Sequence, residues 1–553
     1  MKKQHALLWI WQSVKRQFGW ILLQTLTSVL ISLGFVGFAL ISQRVVDMAT
    51  GTMEGNMWRE SALLLAILLF QAVANILDHL LQTRSIAKVG MCIKERVFTG
   101  LFHKKWQAVN PFSSGDLLNR LTSDATTTAT AASQLPPRLI SLLARLVASM
   151  TVLLVMDPWF AVILLAAGLF LLIFTRLCGR FIKKIHKDCQ ESEGDTRFFM
   201  QESIENWPVV QSFGVGAWVR RRLGVLQNRN LKFRMRQARV SVVANSLVYL
   251  MFSGCYYVAL AWGAWRLATG VITFGALTAF LQLVQQVQAP LRNMSGVLPQ
   301  YYGMIASAER LMELEDLPDE PPADKTVPCE KWRALTVSDL TFSYDRTTVF
   351  DNASLTVNRG EFVAIAGYSG IGKSTFFKLL LGFLEPNAGQ VICDTDDGPV
   401  PVGRATRPLF SYVPQGNLLL SGTIRQNLTF CCEEATDEQI WEAARVAAID
   451  DFIRELPQGL ETELGERGLG LSEGQLQRLA IARGVLYGAP VLLLDEATAS
   501  LDEETEEKVL KNLRALPDKT CICISHRPAA LKNCDRVLRV RDGRFEEDSL
   551  EQE

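Results

Sequence analysis

The first half of the chain alternates between long apolar runs and polar stretches. Six runs come close to the roughly 20 apolar residues that a helix needs to cross a bilayer. They lie near Phe18–Ser42, Ser61–Leu81, Leu135–Met156, Trp159–Leu177, Val243–Leu267 and Ile272–Leu298. A very short turn at Asp157-Pro158 joins the third run to the fourth. The pattern therefore predicts six membrane-spanning helices.

Two long polar stretches separate run two from run three and run four from run five, and both are basic. Their cations include Arg84, Lys88, Lys94, Arg96, Lys104 and Lys105 in the first, and Lys183, Lys184, Lys187, Arg220, Arg221 and Arg222 in the second. Because cytoplasmic loops are enriched in Lys and Arg, this pattern places both stretches and both termini in the cytoplasm. A nucleic-acid patch is the alternative, but the flanking spans and the net charge of zero favour the topological interpretation.

The same two stretches have a helical pattern and are predicted to extend the spans into the cytoplasm. Pro111 and Gly115 interrupt the first near its middle, and Pro208 and Gly214 interrupt the second. Short helices at these interruptions would be well placed to dock on a soluble domain.

Several polar side chains fall inside the predicted spans, where such groups are costly and often functional. They are Arg145 in run three, Asp78 and His79 near the end of run two, and Gln282, Gln285 and Gln286 on one face of run six. Two interpretations stay open. The first is hydrogen bonding between helices for the glutamines and interfacial snorkelling for the charged residues, and the second is the lining of a cavity. The first is favoured for Asp78 and His79, and neither is favoured for Arg145 and the glutamines.

The second half of the chain, from about Trp332, has the composition of a soluble domain. An acidic, proline-rich linker, Glu309–Lys331, precedes it, and Leu335–Tyr344 alternates as a strand does. Among the 11 cysteines there is no C-x-x-C and no cluster with zinc spacing. Cys521 and Cys523 are interpreted as reduced core residues, with a redox role as the less favoured alternative.

The stretch Phe362–Thr375 carries the strongest motif. An apolar run typical of a buried strand is followed by Gly-Tyr-Ser-Gly-Ile-Gly-Lys-Ser-Thr, which fits G-x-x-x-x-G-K-[ST]. The glycines permit tight turns, so that successive N–H groups can point at one anion. Lys373 adds a positive charge for the β- and γ-phosphates, and Ser374 offers a hydroxyl to Mg²⁺. A helix continuing through Leu379–Leu384 would direct its N-terminus at the same anion.

Other predicted strands end in polar residues. Pro414-Gln415 follows Leu409–Val413, Asp495-Glu496 follows Val491–Leu494, and Ser525-His526 follows Cys521–Ile524. Ligand sites in open α/β sheets lie at such strand ends. Asp495 would hold Mg²⁺, and Glu496 would be the base for a hydrolytic water. A helix is predicted to begin at Leu471-Ser472-Glu473-Gly474-Gln475 and to run through Arg483.

The order of these motifs resembles that of the ATP-binding cassette (ABC) transporters, and the resemblance covers nearly the whole chain. On that family's pattern Tyr344 stacks on adenine, and Gln415 is the Q-loop glutamine that senses Mg²⁺ and the membrane domain. Leu471–Gln475 matches the signature motif. Glu496 and His526 match the catalytic glutamate and the switch histidine.

The resemblance implies a set of residues around ATP and Mg²⁺. Those predicted to contact ATP are Tyr344, Gly367, Ser369, Gly370, Gly372, Lys373, Ser374, Thr375, Gln415, Ser472, Gly474 and Gln475. Those predicted to hold Mg²⁺ are Ser374, Gln415 and Asp495. Ser500-Leu501-Asp502 matches the D-loop of the family.

Thr462–Gly468 resembles the exporter loop that touches the intracellular helices. Together with the fused order of the two regions, it implies a type IV ABC exporter half-transporter. The expected fold is a membrane all-α six-helix domain at residues 1–308, a linker at 309–331 and an α/β P-loop NTPase domain at 332–553. Nothing ahead of the first span resembles a peptidase domain.

The signature departs from the family pattern at Glu473, where Gly is usual. A carboxylate beside a triphosphate is mildly unfavourable if it points inward. Ser472 and Gly474, whose hydroxyl and backbone N–H contact the γ-phosphate in the family, are intact. Activity is therefore expected, tuned by the extra charge.

In this family the phosphate loop and the signature belong to opposite halves of a site, so two chains must meet around two ATP molecules. The resemblance implies ATP-driven export or flipping of an amphipathic drug, lipid or peptide across the cytoplasmic membrane, by alternating access in a dimer of this chain. One subunit of a heterodimeric exporter is the alternative, and an ATP-gated channel or sensor, or an importer, is less favoured. Arg145 and the glutamines of run six would suit an amphipathic or anionic cargo.

Overall fold

The computed structural model describes residues 2–293, 296–323, 326–344, 347–368, 370–416, 419–465 and 470–548, except for the side chains of residues 2–4, 167, 169–187 and 291–293. The chain folds into two compact units. The first comprises Met1–Gly100 and Ser114–Asp316, and the second comprises Leu101–Ser113 and Leu317–Glu553.

The first unit is built of α-helices, several of them very long. The helices up to residue 315 are α1 Lys2–Val14, α2 Phe18–Ala49, α3 Met57–Leu101, α4 Trp106–Val109, α5 Ser114–Asn119, α6 Ala125–Met156, α7 Pro158–Glu205, α8 Trp207–Ser212, α9 Gly216–Ala268, α10 Phe274–Asn293 and α11 Val297–Glu315. Of these, α4 belongs to the second unit. The polar stretches predicted to be helical are helical, since α3 and α7 continue well beyond their apolar parts.

Asp157 explains why α6 ends and α7 begins within one residue. Its backbone is extended (φ −152°, ψ 97°), and its carboxylate accepts a hydrogen bond from Phe160 N at 3.2 Å. Pro158 occupies the first turn of α7, where its missing N–H would be unbonded in any case. The second carboxylate oxygen accepts a hydrogen bond from Trp262 Nε1 at 2.9 Å, which ties this turn to α9.

Four described helical stretches are long and apolar enough to cross a membrane. They are His5–Ala49, Met57–Leu101, Ser114–Met156 and Gly216–Ala268. These stretches contain the predicted runs one, two, three and five. Run four falls on α7, where many side chains lie outside the described residues, and run six falls on α10, whose glutamines make it less apolar. The spans on α7 and α10 stay predictions.

A small apolar core joins α2, α6, α7, α9 and α10. Leu153, Ala259 and Leu283 are fully buried in it, and the rings of Phe160 and Phe280 meet edge to face with centroids 4.7 Å apart. This packing fixes one face of α10 against its neighbours and leaves another face for its polar residues.

The second unit contains seven described α-helices beyond α4 and twelve described strands. The helices are α12 Lys373–Leu380, α13 Ile424–Thr429, α14 Asp437–Val446, α15 Asp450–Glu455, α16 Glu473–Tyr487, α17 Glu503–Arg514 and α18 Pro528–Lys532. The strands are β1 Trp332–Tyr344, β2 Thr347–Asn358, β3 Phe362–Ala366, β4 Ala388–Thr395, β5 Gly398–Pro401, β6 Phe410–Val413, β7 Gly422–Thr423, β8 Glu463–Leu464, β9 Val491–Asp495, β10 Thr520–Ile524, β11 Arg536–Arg541 and β12 Arg544–Asp548.

The strand order brings the predicted motifs together. Among the described residues, an antiparallel sheet has the order β2-β1-β4-β5, a mainly parallel sheet has the order β12-β11-β3-β10-β9-β6, and β7 pairs with β8. β3, β9 and β10 are buried along their whole length, because both faces of the parallel sheet are covered, and they therefore form continuous apolar runs in the sequence. Since β3, β10, β9 and β6 are neighbours and parallel, their carboxyl ends meet at one edge.

The helix after the phosphate loop is shorter than predicted. It ends at Leu380 and does not continue to Leu384. Gly382 has φ +65°, and a Cβ at this position would lie 2.7 Å from the Cα of Gly403. A left-handed turn beside a second glycine backbone therefore ends the helix, and this contact has no local signature in the sequence.

Leu101–Ser113 comes from the first polar stretch but packs within the second unit. Lys105 donates from its backbone N to Pro318 O at 2.9 Å and from its Nζ to Glu385 Oε1 at 2.7 Å. Trp106 of α4 stacks on Phe383 with ring centroids 6.0 Å apart. The second compact unit thus includes a short helix near Pro111 that lies within the predicted membrane domain, 1–308.

Candidate functional site

The phosphate loop lies between β3 and α12. Gly367, Gly370 and Gly372 have φ values of +153°, +84° and +110°. A Cβ at position 372 would lie 2.1 Å from Val349 Cγ1, so this position admits only glycine. The glycines let the chain turn directly from β3 into the N-terminus of α12, which favours an anion. Ser369, predicted to contact ATP, lies outside the described residues.

Lys373 is the first residue of α12 and is buried. Its Nζ donates to Gly367 O at 2.6 Å and to Tyr368 O at 3.0 Å. An ammonium group has three hydrogens, so one remains for an anion held by the loop. The two carbonyls fix this positive charge at the start of the helix.

Asp495 ends β9 and accepts hydrogen bonds from two hydroxyl groups. Ser374 Oγ donates to Oδ1 at 3.0 Å, and Tyr412 OH donates to Oδ2 at 3.2 Å. Burial raises the pKa of Asp495 above its ordinary value and the charge of Glu496 adds to the rise, while the two hydroxyl hydrogen bonds oppose it. Burial, and then Asp495, also raise the pKa of Tyr412, which keeps its hydroxyl a donor. Ser374 and Asp495, two predicted Mg²⁺ ligands, are therefore in direct contact.

Glu496 follows with a left-handed backbone (φ +50°), which is rare for a residue other than glycine. Its N–H donates to Ile524 O at 3.1 Å, so its backbone is tied to β10. Gln415 Nε2 donates to Glu496 Oε2 at 2.7 Å, which leaves the amide oxygen of Gln415 for a cation. His526 follows the end of β10 and is exposed at the same edge of the sheet.

Tyr344 ends β1 with its ring exposed. Its hydroxyl lies 3.4 Å from Thr375 Oγ1 on α12, and Phe342 packs against the ring edge with centroids 4.9 Å apart. An exposed aromatic ring beside the phosphate loop is suited to stacking on a base.

The signature residues form the start of α16. Ser472 Oγ accepts a hydrogen bond from Gln475 N at 3.3 Å, and Gln475 Oε1 accepts one from Ser472 N at 2.8 Å. This reciprocal capping box fixes where the helix begins. A Cβ at Gly474 would lie 3.0 Å from Ser500 O, so the D-loop passes close to the signature. Glu473 is exposed at the first helical position, where a carboxylate is favourable to the helix dipole.

Two residues that the motifs did not indicate hold the D-loop. Gln477 Oε1 accepts a hydrogen bond from Ser500 N at 2.9 Å, and its Nε2 donates to Ser500 Oγ at 3.2 Å. Arg527 donates to Leu501 O at 2.6 Å and pairs with Glu506 at 3.0 Å, where the Glu506 side chain is 1% exposed. The signal in the sequence is weak, because each partner lies more than 20 residues away.

The D-loop then leads into α17. Asp502 caps this helix by accepting a hydrogen bond from Thr505 N at 2.9 Å. The backbone and side-chain hydrogen bonds of Thr505 lower the pKa of Asp502 below its ordinary value. The cap explains why an aspartate stands at this end of the D-loop.

The predicted exporter loop Thr462–Gly468 is described in part. Glu463–Leu464 forms β8 and pairs with β7, and Thr462 O accepts a hydrogen bond from Ile424 N at 3.0 Å. Residues 466–468 lie outside the described part of the chain.

A cavity of about 980 Å³ lies in the first unit, among α2, α6, α9 and α10. Its lining includes Arg145, aromatic side chains of α2 and α9, and four glutamines of α10, which are Gln282, Gln285, Gln286 and Gln288. The cavity-lining interpretation therefore applies to Arg145 and to these glutamines.

Two polar residues of the spans serve contacts between helices. Gln286 Nε2 donates to Phe35 O at 2.7 Å and its Oε1 accepts from Ser149 Oγ at 3.3 Å, which joins α10 to α2 and α6. Asp78 Oδ1 accepts a hydrogen bond from Ser28 Oγ at 2.6 Å, which joins α3 to α2. Asp78 is thus bonded between helices, a contact that neither snorkelling nor cavity lining describes, and Gln286 combines the predicted hydrogen bonding between helices with a place in the cavity wall.

Comparison with known proteins identifies the two regions. The family described as ABC transporter transmembrane region matches residues 21–291, and the family described as ABC transporter matches residues 350–499. A solved structure titled "Structure of a bacterial Atm1-family ABC exporter with ATP bound" is similar with a TM-score of 0.81 and 25% identity, and covers 97% of this chain and 95% of that chain.

Curated relatives match two thirds or more of this chain. An ATP-dependent lipid A-core flippase of Syntrophus aciditrophicus is 31% identical over 375 residues, 67% of this chain and 62% of that protein. A fatty acid ABC transporter ATP-binding/permease protein of Mycobacterium bovis is 30% identical over 436 residues, 78% of this chain and 69% of the relative. An ATP-dependent lipid A-core flippase of Alkalilimnicola ehrlichii is 28% identical over 560 residues, 98% of this chain and 94% of the relative. The chain therefore belongs to the ABC transporters, as an exporter half-transporter with one membrane region and one ATP-hydrolysing region.

Proposed function

We propose that this chain exports or flips an amphipathic compound across the cytoplasmic membrane, driven by ATP hydrolysis in a dimer of two copies. The observation that carries the proposal is the meeting of the phosphate loop, Asp495 and Glu496 at one edge of the parallel sheet. Ser374 Oγ lies 3.0 Å from Asp495 Oδ1, and Gln415 Nε2 lies 2.7 Å from Glu496 Oε2. A phosphate cradle, a metal-binding carboxylate and a base so arranged support phosphoryl transfer from ATP to water.

Mg²⁺ fits the donors at this edge. The Ser374 hydroxyl, the Asp495 carboxylate and the Gln415 amide oxygen are hard oxygen ligands, and Mg²⁺ is usually bound by one or two carboxylates together with substrate phosphates. When bound, the ion would neutralise charge on the β- and γ-phosphates. A cation beside Asp495 would also favour its ionised form against the effect of burial.

In the proposed reaction, Glu496 takes a proton from the attacking water as the water oxygen bonds to the γ-phosphorus, while the bond from the γ-phosphorus to the bridging oxygen breaks and ADP leaves. Gln415 holds the Glu496 carboxylate, and the backbone tie to Ile524 holds its Cα. Lys373 and the loop N–H groups carry the charge of the phosphates, and His526 holds the γ-phosphate. These roles use fixed donors, which lose little energy to reorganisation during the reaction.

A second copy supplies the signature that faces the phosphate loop. The exposed Ser472 and Glu473 at the start of α16 are available to such a partner.

In the first unit, Trp207 and Phe213 at α8 are large apolar side chains with more than half of their surface exposed. Exposed apolar groups of this size favour a protein contact.

We further propose that the chain crosses the membrane six times. α7 and α10 would then join the four stretches that are long and apolar enough to span it. The basic stretches then place both termini and the ATPase region in the cytoplasm. The relatives include lipid A-core flippases and a fatty acid transporter, which supports a lipid-like cargo.

The test is the ATPase activity of the purified chain in lipid, compared with Glu496→Gln, with the mass of the complex measured on the same sample. We expect a dimer whose turnover falls by about 10²- to 10⁴-fold in Glu496→Gln, while ATP binding persists. Glu504→Gln changes an exposed acid on α17 and serves as the matched control.

Normal turnover in Glu496→Gln would remove this residue from its role. A monomer, or a dimer without turnover, would favour a different partner chain or damage by the signature carboxylate. Glu473→Gly separates these two cases, because it restores turnover only if that carboxylate is the cause.

A further inference from the structure

Arg145 is a cation deep within the membrane region. It lies on α6, 12 residues before the turn at Asp157. At 1.5 Å per residue this is about 18 Å along the helix axis, and the hydrocarbon core of a bilayer is about 30 Å thick. A charge at such a depth is unfavourable unless a partner or a polar cavity stabilises it, so its presence calls for a function.

The guanidinium of Arg145 has no carboxylate partner among the described residues. Its Cζ lies 4.5 Å from the centroid of the Phe35 ring, and its buried Nε has no hydrogen-bond acceptor in the part of the chain that the structure describes. The aromatic contact uses the face of the guanidinium and leaves its edge, with the N–H groups, for an acceptor. No Asp or Glu lines the cavity within the described part of the chain. The wall that contains Arg145 is therefore positively charged.

Two amides lie in the same cavity and are uncommitted. Gln282 and Gln285 make no hydrogen bond within the described residues, whereas Gln286 on the same helix is bonded to Ser149 and Phe35. Amide NH₂ groups donate to oxygen, and the guanidinium offers up to five N–H donors. Together these donors suit an anionic oxygen group such as a carboxylate or a phosphate.

Six aromatic side chains of α2 and α9 also line the cavity. Tyr249 and Tyr257 of α9 are 70% and 66% exposed, and Phe38 and Phe252 lie beside them in the cavity lining. A volume of about 980 Å³ matches the upper range of ligand pockets. A positive, donor-rich wall beside aromatic walls matches a molecule with an anionic head and a hydrophobic tail.

We infer that the cavity binds an amphipathic compound with a single anionic oxygen head group, and that Arg145 determines this specificity. The inference rests on the proposed function, because it names the class of compound that the transport cycle would carry. Gln282 and Gln285 assist by donating to the same head group.

The experiment compares four probes with the same oleoyl tail. Oleate and oleoyl lysophosphatidate carry the two anionic heads, monoolein is neutral and oleylamine is cationic. Binding is measured by displacement of a fluorescent fatty acid from the full chain carrying Glu496→Gln, in nanodiscs of phosphatidylcholine. We expect the anionic probes to bind at least about tenfold more tightly than monoolein, as a charge-assisted hydrogen bond implies. The ratio of oleate to lysophosphatidate affinity distinguishes a carboxylate cargo from a phosphate cargo.

Arg145→Met should weaken binding of the anionic probes by about tenfold or more, and should change the affinity for monoolein by no more than about twofold. Arg145→Lys should fall between, because it keeps the charge but loses the planar fork. Arg138→Met removes an exposed arginine from the same helix that does not line the cavity, and should match the parent chain.

Equal affinity for anionic and neutral probes, or an equal loss for both in Arg145→Met, would overturn the inference. Dissociation of the dimer in Arg145→Met with an unchanged head-group preference would show that Arg145 pairs with an acid of the second copy, and would overturn it too. Because these measurements need no hydrolysis, missing turnover in the unmodified chain would defeat the proposed function alone. Glu496-dependent turnover without head-group discrimination would defeat this inference alone.

Discussion

Arg527 and Arg145 are two half-buried arginines that the chain treats in opposite ways. Arg527, in the ATPase region, pairs with Glu506 at 3.0 Å and donates to the carbonyl of Thr498 at 2.9 Å. Arg145, in the membrane region, lies on the ring of Phe35 and has no carboxylate partner among the described residues. The chain itself supplies the acceptors for Arg527, whereas Arg145 and two amides of the cavity have no hydrogen-bond partner among the described residues.

The difference follows from what each region must do. Hydrolysis requires groups that are already in place when the reaction begins, so mutual hydrogen bonds hold them. A cavity that must bind a cargo and release it gains from donors whose partner arrives with the cargo. The two arginines are thus evidence for a fixed site in one region and for an exchangeable site in the other.

The largest expected effect separates the two arginines by stability. Arg527→Met should lower the free energy of unfolding of the ATPase region by about 3–5 kcal/mol, because it removes the cation that pairs with the buried Glu506 carboxylate, which keeps only the hydrogen bond from Thr498 Oγ1 among the described residues. Arg145→Met should not lower the free energy of unfolding, because it removes a desolvated charge. Thermal unfolding of the full chain, with limited proteolysis to report on the ATPase region, measures both.

Lys511→Met is the matched control for Arg527→Met. Lys511 pairs with Glu507 on the same surface helix, with side chains 65% and 51% exposed, so the loss should stay below about 1 kcal/mol. The comparison would be wrong if Arg527→Met were as stable as this control and Arg145→Met were destabilised. In that case Arg145, and not Arg527, would stabilise the fold.

A smaller effect should separate two glutamines on one helix. Gln286→Leu should lower stability by about 1 kcal/mol, because it removes hydrogen bonds to Phe35 and Ser149. Gln282→Leu should leave the melting temperature unchanged and weaken binding of oleate by roughly 2- to 10-fold. The two variants are matched in chemistry, so equal melting temperatures would contradict the separate roles.

The smallest expected effect concerns Asp495→Asn. Burial raises the folded-state pKa of Asp495 above its ordinary value of 3.8, so the ionised carboxylate costs stability at any pH above that raised pKa. The cost disappears as the pH falls through the folded-state pKa. Asn should therefore raise the melting temperature of the ATPase region by a few degrees at most near pH 7, and the gain should shrink on acidification. Melting curves between pH 7.5 and pH 4.5 measure it.

Asp502→Asn should change the melting temperature in the opposite direction to Asp495→Asn. Hydrogen bonds from Thr505 lower the pKa of Asp502, so its charge stabilises the fold above the ordinary pKa, and this contribution is lost as the pH falls through the lowered value. The substitution should lower the melting temperature at pH 7. The same direction of change in both aspartate variants would show that burial is not the dominant influence on Asp495.

The central strands and the motifs at their ends could be predicted from the sequence, because they are local. β3, β9 and β10 are continuous apolar runs, and Asp495 and Glu496 follow directly in the chain. The end of α12 could not be predicted, because it depends on the approach of Gly382 to Gly403. The grouping of Trp106 with Phe383 is equally non-local.

The polar residues show the same limit. The ties from Gln477 to Ser500 and from Arg527 to Leu501 join segments that no motif connects. Gln282 and Gln286 are both glutamines and stand four residues apart on α10, so the sequence predicts that they share one face of the helix. Packing alone decides that Gln286 is bonded to its neighbours and that Gln282 is left in the cavity.

The backbone of Glu496 has a consequence for the timing of hydrolysis. Its left-handed Cα is fixed to β10, while its carboxylate is held by Gln415, which stands on an exposed loop after β6. Movement of that loop would rotate the Glu496 side chain while its Cα stays in place, and it would leave the phosphate loop undisturbed. In the proposed reaction, such a movement would set the time of cleavage while ATP stays bound.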